Sequence, residues 1–334
     1  MQRNCLTAIA AHQRYENKTR NHRDGVQRLL AAAAIDTQRL NVVLDIDCRA
    51  GDTTLGVLRA APRAEVIGVD DYLDAITLAR MKFGLSLNGT SVERVLAIQS
   101  LMVTGWVDSF KADSASVRDR ATFVHSSIAN CPLANADLAV GFQALHGFDT
   151  MSGLPHPSVL DSIRASLKTG ATLLAGTSST FFEFEDSSSI GGMPRSQWSV
   201  LEHPFIKLVF ESLRDIMLNV GYSLPPASKP PHSMNDLRMP LERTGFEVVQ
   251  FGQIPIRYSI DVLLTETARS LPFMLGVLDG APFTPLAKRQ FVDEAVFDAG
   301  LRCDKYVTQG YPDPRLVTDM NVWNAILWVR AKAR

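Results

Sequence analysis

Charge of one sign is what this 334-residue chain most conspicuously lacks: 34 basic residues stand against 35 acidic ones, a formal net charge of −1. That balance leaves no electrostatic footprint for nucleic acid or for an anionic membrane surface, so the expected partner is a small molecule. Cysteine is scarce too. Cys5, Cys48, Cys131 and Cys303 lie far apart without a Cys-x-x-Cys spacing, which excludes a zinc site of ordinary spacing and a disulfide framework and fits a reducing cytoplasm. No apolar run approaches the length of about 18 residues that spans a bilayer, and the polar start of the chain has no signal-peptide core. There is no Gly-x-Ser-x-Gly elbow, no phosphate-cradling Gly-Lys-Ser/Thr and no cluster of metal ligands, which argues against hydrolase, kinase and metalloenzyme readings.

What is present begins at residue 41. Asn41-Val42-Val43-Leu44-Asp45-Ile46-Asp47-Cys48-Arg49-Ala50-Gly51-Asp52-Thr53-Thr54 is an apolar run, an acidic turn and a helix start, the layout of a nucleotide-binding βα junction. Glu65-Val66-Ile67-Gly68-Val69-Asp70 follows as a second short strand. It ends in a carboxylate about twenty residues on, where a ribose needs an acceptor. Helix-period and strand-period segments then alternate: a helix over Leu73 to Phe83, an amphipathic segment from Val92 to Phe110, strands at Ala121–His125, Asp137–Phe142 and Ala171–Gly176, and a helix over Ser158 to Leu167 closed by Lys168-Thr169-Gly170. Such alternation predicts an α/β, doubly wound, mostly parallel seven-stranded sheet with ligands at the carboxyl ends of its strands. An N-terminal helical segment (1–40) precedes the core (41–180). Residues 181–232 and 257–318 read as helical insertions able to form a lid, and the rest of the core sheet occupies 233–334.

The order of these elements resembles the class I S-adenosylmethionine-dependent methyltransferases, whose first motif runs (D/E)-x-G-x-G-x-G. Asp45 and Gly51 match its ends, while Asp47 and Arg49 stand where the family has glycine. Further blocks resemble the family in order: Cys131-Pro132-Leu133 with Asp137-Leu138-Ala139-Val140, Leu167-Lys168-Thr169-Gly170-Ala171, and Ser233-Met234-Asn235-Asp236-Leu237 with Leu241 to Val249, then Asn321 to Arg330 as a seventh strand. The resemblance implies a Rossmann-like methyltransferase fold, S-adenosylmethionine as cofactor and SN2-type methyl transfer to a small, fairly apolar acceptor. It leaves open a protein of this fold without methyl transfer, a cyclase, an isomerase or a non-catalytic partner subunit. A nicotinamide dehydrogenase ranks below both, since Gly-x-Gly-x-x-Gly is missing.

The resemblance also assigns candidate residues. Asp70 is expected on the ribose hydroxyls or, more plainly, at a helix cap. Asp45 holds the turn's amides or a cofactor water, Gly51 lets backbone approach the cofactor at a helix N-terminus, and Asp47 and Asp71 border the same place, with plain solvation the alternative for Asp71. Arg49 is expected to pair with Asp47 or Asp52, so that the loop still presents its amides. Ser126 and Ser127 stand where the family has an acceptor for the adenine amine, and Ile128 packs on the adenine or in the core. Gln143 and His146 follow the fourth strand, where acceptor contacts arise. His146 is the candidate general base or an ordinary loop histidine, and Tyr15 is a candidate contact at the methionine end. Phe181, Phe182, Phe184, Phe205 and Phe210 line an apolar acceptor or simply pack. The helical insertions make a homodimer reasonable.

Overall fold

The computed structural model describes residues 21–88, 90–103, 115–130, 134–142, 154–178, 203–224, 232–257, 280–316 and 323–334, with short pieces at 182–183, 189–190, 193–194, 264, 268–269, 272 and 277–278. The chain divides into two compact units, one of Met1–Ser178, His232–Ile254 and Ile326–Arg334, the other of Ser179–Pro231 and Pro255–Ala325.

Seven strands form the sheet of the first unit: β1 (Val42–Ile46), β2 (Glu65–Asp70), β3 (Ala121–His125), β4 (Ala136–Gly141), β5 (Leu167–Ser178), β6 (Phe246–Arg257) and β7 (Trp323–Ala333). Their order is β6-β7-β5-β4-β1-β2-β3. β1 to β5 pair in parallel, whereas β7 runs antiparallel to β5, with Val329 opposite Ala175. The central strands are continuous apolar runs because both faces are covered: Val43, Leu44, Ile46, Leu138, Ala139, Val140, Leu173 and Leu174 are all fully buried. The winding reverses between β1 and β4, and at such a switch point the carboxyl ends of the strands open a crevice.

Helices α1 (Asn21–Ala32), α2 (Asp52–Ala60), α3 (Leu73–Lys82), α4 (Val92–Val103) and α5 (Pro157–Ala165) belong to this unit. α5 starts where Pro157 takes the first helical turn and the His156 ring accepts from the Ser158 amide, a position at which the missing proline N–H is no loss. α1 crosses α2 in contact at Gly56: a Cβ there would lie 2.3 Å from the Arg23 carbonyl and 2.4 Å from Val26 Cγ1. Gly56→Ala is therefore expected to lower the urea midpoint of this unit, by about 1–3 kcal/mol in stability, because backbone rather than a side-chain tip must yield.

One expectation is corrected. β5 starts at Leu167, not Ala171, so Lys168-Thr169-Gly170 belongs to the strand rather than closing a helix. Leu167 pairs with Ala136, the register then jumps to Thr172 opposite Leu138, and Gly170 takes φ 79°. The irregularity brings Lys168 Nζ to 2.6 Å from Asp137 Oδ1, so a turn-like sequence becomes a bulge pinned by an ion pair. The described part of the segment after Val92 is helical to Val103, and 104–110 lie outside the described residues.

In the second unit α6 (Pro204–Asn219) packs on α7 (Pro285–Thr308). Ala295, Ala299 and Cys303 recur at helical spacing on α7 and are completely buried in a core with Val209, Leu213 and Met217. Ser212 donates to Asp298 at 2.7 Å, and Arg302 bridges Asp298 at 2.7 Å and Asp215 at 2.8 Å. Phe205 and Phe210 lie in this core, which answers for them as packing; Phe181 and Phe184 lie outside the described residues. No described helix is long and apolar enough to cross a membrane.

Candidate functional site

Five residues turn the chain from β1 into α2, and three of them take left-handed backbone: Asp47 at φ 58°, Arg49 at φ 48° and Gly51 at φ 82°. An L-residue in that region is disfavoured by roughly 1–2 kcal/mol, less so for Asp, whose short polar chain makes local bonds. Asp47 and Arg49 thus adopt the geometry that a glycine would supply, and the course of the loop survives their presence. Specific bonds hold it. The Cys48 amide donates to the Val69 carbonyl at 3.1 Å and the Gly51 amide to the Cys48 carbonyl at 2.9 Å. The Arg49 amide donates to Asp70 Oδ2 at 2.8 Å. The Arg49 guanidinium lies 3.5 Å from Asp47 Oδ2.

Asp70, at the carboxyl end of β2 and 1% exposed, accepts a second amide bond, from Tyr72 at 2.8 Å. Burial and the neighbouring Asp47 charge push its carboxyl up from the ordinary 3.8 to about 7, against the pull of the Tyr72 and Arg49 amides. Asp45 is wholly buried in β1. Its Oδ2 accepts from Thr53 at 2.7 Å and from Thr54 at 2.6 Å, and burial drives it to about 7 despite both hydroxyls. Asp45 Oδ1 has no hydrogen-bond partner among the described residues. Buried carboxyls pushed above the ordinary carboxylate range at the end of a parallel sheet mark a candidate ligand site.

Asp70, not Asp45, holds the turn's amide, while Asp45 clamps hydroxyls at the start of α2. Gly51 caps α2, and its missing Cβ would lie 3.0 Å from both the Phe83 and Phe123 rings, so aromatic packing requires this glycine. Asp71 is exposed beyond β2; burial and Asp47 raise its carboxyl, and its carbonyl meets His125 Nε2 at 3.0 Å. Ser126 is tied locally, its hydroxyl donating to the Asn130 carbonyl at 2.8 Å, and its amide donates to the Asp70 carbonyl at 3.0 Å. Ser127 accepts from Asn130 Nδ2 at 3.1 Å, and Ile128, half-buried, opens the short 3-10 turn Ile128–Asn130. The loop between β1 and α2 thus links Asp47 and Asp70 through Arg49, while Asp45 binds Thr53 and Thr54 at the start of α2. Tyr15, Gln143 and His146 lie outside the described residues.

Sequence reasoning missed the ion pair beneath the loop. Lys82 Nζ lies 2.8 Å from Asp52 Oδ2, with side-chain exposures of 1% and 8%. The signal was a lysine at a core-facing position of α3, in step with Ala75, Leu78 and Ala79. His22 of α1 was missed as well: it is buried edge-on against Phe142, ring centroids 5.5 Å apart, just after β4. No group of three or more potential metal ligands occurs among the described residues.

No protein-family model matches the chain, and no curated protein sequence matches it. Solved structures do match in shape. A provisionally named methyltransferase of Bacillus halodurans C-125 is 14% identical, with a TM-score of 0.44 over 92% of this chain and 97% of its own. The [4+2]-cyclase SpnF is 14% identical, with a TM-score of 0.44 over 93% of this chain and 81% of its own. A Haemonchus contortus phosphoethanolamine N-methyltransferase, solved with S-adenosylhomocysteine, is 12% identical, with a TM-score of 0.39 over 92% of this chain and 52% of its own. At that distance the assignment rests on the chain's own strands. A seven-stranded sheet in the order β6-β7-β5-β4-β1-β2-β3, parallel from β1 to β5 with β7 antiparallel, is the doubly wound, mostly parallel Rossmann-like architecture that the sequence predicts.

Proposed function

We propose that this protein is an S-adenosylmethionine-dependent methyltransferase acting on a small, fairly apolar acceptor. The observation that carries the reading is Asp70, a buried carboxyl closing β2 and bonded to the amide of the glycine-like loop after β1. The residues present fit an adenosyl sulfonium ligand. Asp70 offers acceptor oxygens to ribose hydroxyls, and the unpartnered Asp45 Oδ1 is an acceptor awaiting a donor. The carboxyls of Asp45, Asp47, Asp70 and Asp71 favour a cation over an anion at this end of the sheet.

The bound cofactor would supply a methyl group on a cationic sulfur, open to in-line attack. The chain's part is positioning and exclusion of water, which are sufficient for such a transfer when the acceptor is nucleophilic. For a less acidic acceptor His146 is the proposed base, with Gln143 and Tyr15 as contacts. The near-neutral net charge supports a small acceptor rather than nucleic acid.

Calorimetry with S-adenosylmethionine and with S-adenosylhomocysteine is the test. Both are expected to bind the native protein, and Asp70→Ala is expected to weaken each by about 1–3 kcal/mol, the range for stranding hydrogen-bond partners. Absence of binding by either overturns the reading. Binding of both without methyl transfer to any acceptor would favour the alternative, a protein of this fold that uses the pocket for other chemistry.

A further inference from the structure

We propose that α7 carries a homodimer interface: its solvent side is self-complementary and receives the same helix of a second copy of this chain, running antiparallel about a two-fold axis. The inference is independent of the adenosyl reading above.

Spacing divides α7 into two faces. At about 100° per residue, Val292, Ala295, Ala299 and Cys303 share one stripe, buried in the core that α7 forms with α6, and Phe297 and Leu301 fall on the opposite side. A helix with one packed stripe is expected to be polar there. Instead Phe297 is 69% exposed and Leu301 52%, with Leu286 at 68% on the same side three turns toward the N-terminus. Large apolar side chains adjoining one another on an exposed face mark an interaction surface, where single scattered ones do not. The charges beside them indicate what covers it. Glu294 precedes Phe297 by one turn and Lys305 follows Leu301 by one turn, both on the same edge of the face. Neither side chain has an ion pair among the described residues, whereas their neighbours are engaged, Asp293 with Arg269 at 3.1 Å and Asp304 with Arg315 at 2.7 Å. An acid before the apolar pair and a base after it make the stripe its own complement. With the two-fold axis level with residues 299 and 300, Phe297 meets Leu301 of the other copy and Glu294 meets Lys305 of the other copy, each contact being made twice. A parallel pairing would set Glu294 against Glu294. A partner charged with one sign would match one end of the stripe and oppose the other.

Sedimentation equilibrium of the full chain between about 1 and 200 μM reads the association, the range in which a small interface dissociates. The native protein is expected to reach twice the chain's mass. Phe297→Asp, at a position outside the helix-packing core, is expected to weaken the dimer by about a hundredfold with an unchanged unfolding midpoint. Glu294→Lys and Lys305→Glu each set like charges across the axis twice and are expected to weaken it by about tenfold. The chain carrying both substitutions is expected to regain the native association, and an equal mixture of the two single variants to form the mixed dimer in preference to either homodimer. A native chain that stays monomeric throughout overturns the proposal and leaves the face to a different protein. A dimer that Phe297→Asp leaves intact overturns it as well. So does failure of the charge-exchanged chain and of the mixture to restore association, a comparison that stands even if Phe297→Asp does not fold.

Discussion

Asp52→Asn is expected to lower the stability of the sheet-bearing unit by about 3–5 kcal/mol, the usual consequence of leaving one member of a buried ion pair without its partner. Asp52 is the first residue of α2 and Lys82 the last of α3, so each charge sits at the helix end whose dipole favours it. Their contact is 2.8 Å, with side chains 1% and 8% exposed. In so little water the ammonium of Lys82 has no cheap solvent to return to, and the single substitution removes the charge that it faces at 2.8 Å. Lys82→Met is expected to cost a similar amount by removing the charge that the carboxylate faces. The double substitution should recover most of either loss, because a buried pair is weakly stabilising relative to apolar replacements. Urea unfolding of the three variants measures this cycle. Single losses below about 1 kcal/mol would mean that water reaches the pair, placing it among exposed pairs of little worth.

That pair also marks the limit of what was legible in the residues. The strands of the central sheet were readable because each is a continuous apolar run, and the acidic tip of β2 because a lone carboxylate ends such a run. Polar partners separated by thirty or so positions leave no periodic signal. Lys82 showed itself only as a polar residue in step with Ala75, Leu78 and Ala79, and nothing in the spacing named Asp52 as its partner. The start of β5 was misread for a related reason. Lys168-Thr169-Gly170 has turn chemistry, and only the Asp137 carboxylate, supplied by a neighbouring strand, turns it into a bulge. Roles within the loop were likewise exchanged. Asp45 and Asp70 are both acids at strand ends, and which one takes the amides depends on loop geometry that Asp47 and Arg49 set by adopting positive φ. The glycine pattern foretold that backbone course even where the glycines themselves are missing.

Asp45→Asn is expected to weaken the fall of stability with pH near neutrality. Asp45 carries its proton to about 7 when folded, against 3.8 ordinarily. The folded state therefore binds more protons than the unfolded chain between those values, and stability present below pH 4 is lost as pH rises through 7. At about 1.36 kcal/mol per unit, a wholly buried group with this displacement loses roughly 3 kcal/mol of stability between pH 5 and pH 8. Asp70 adds a loss in the same direction. Asn at position 45 removes the ionisation while its carbonyl can still accept from Thr53 and Thr54. Its amide, however, falls where Oδ1 has no partner, an orphan donor that costs about 1–3 kcal/mol at every pH. The variant is accordingly expected to be less stable than the native protein at pH 5 and equal to or above it at pH 8, so that their unfolding midpoints cross between the two. Parallel midpoint curves for the two proteins would show that Asp45 is ionised throughout and that Thr53 and Thr54 outweigh its burial.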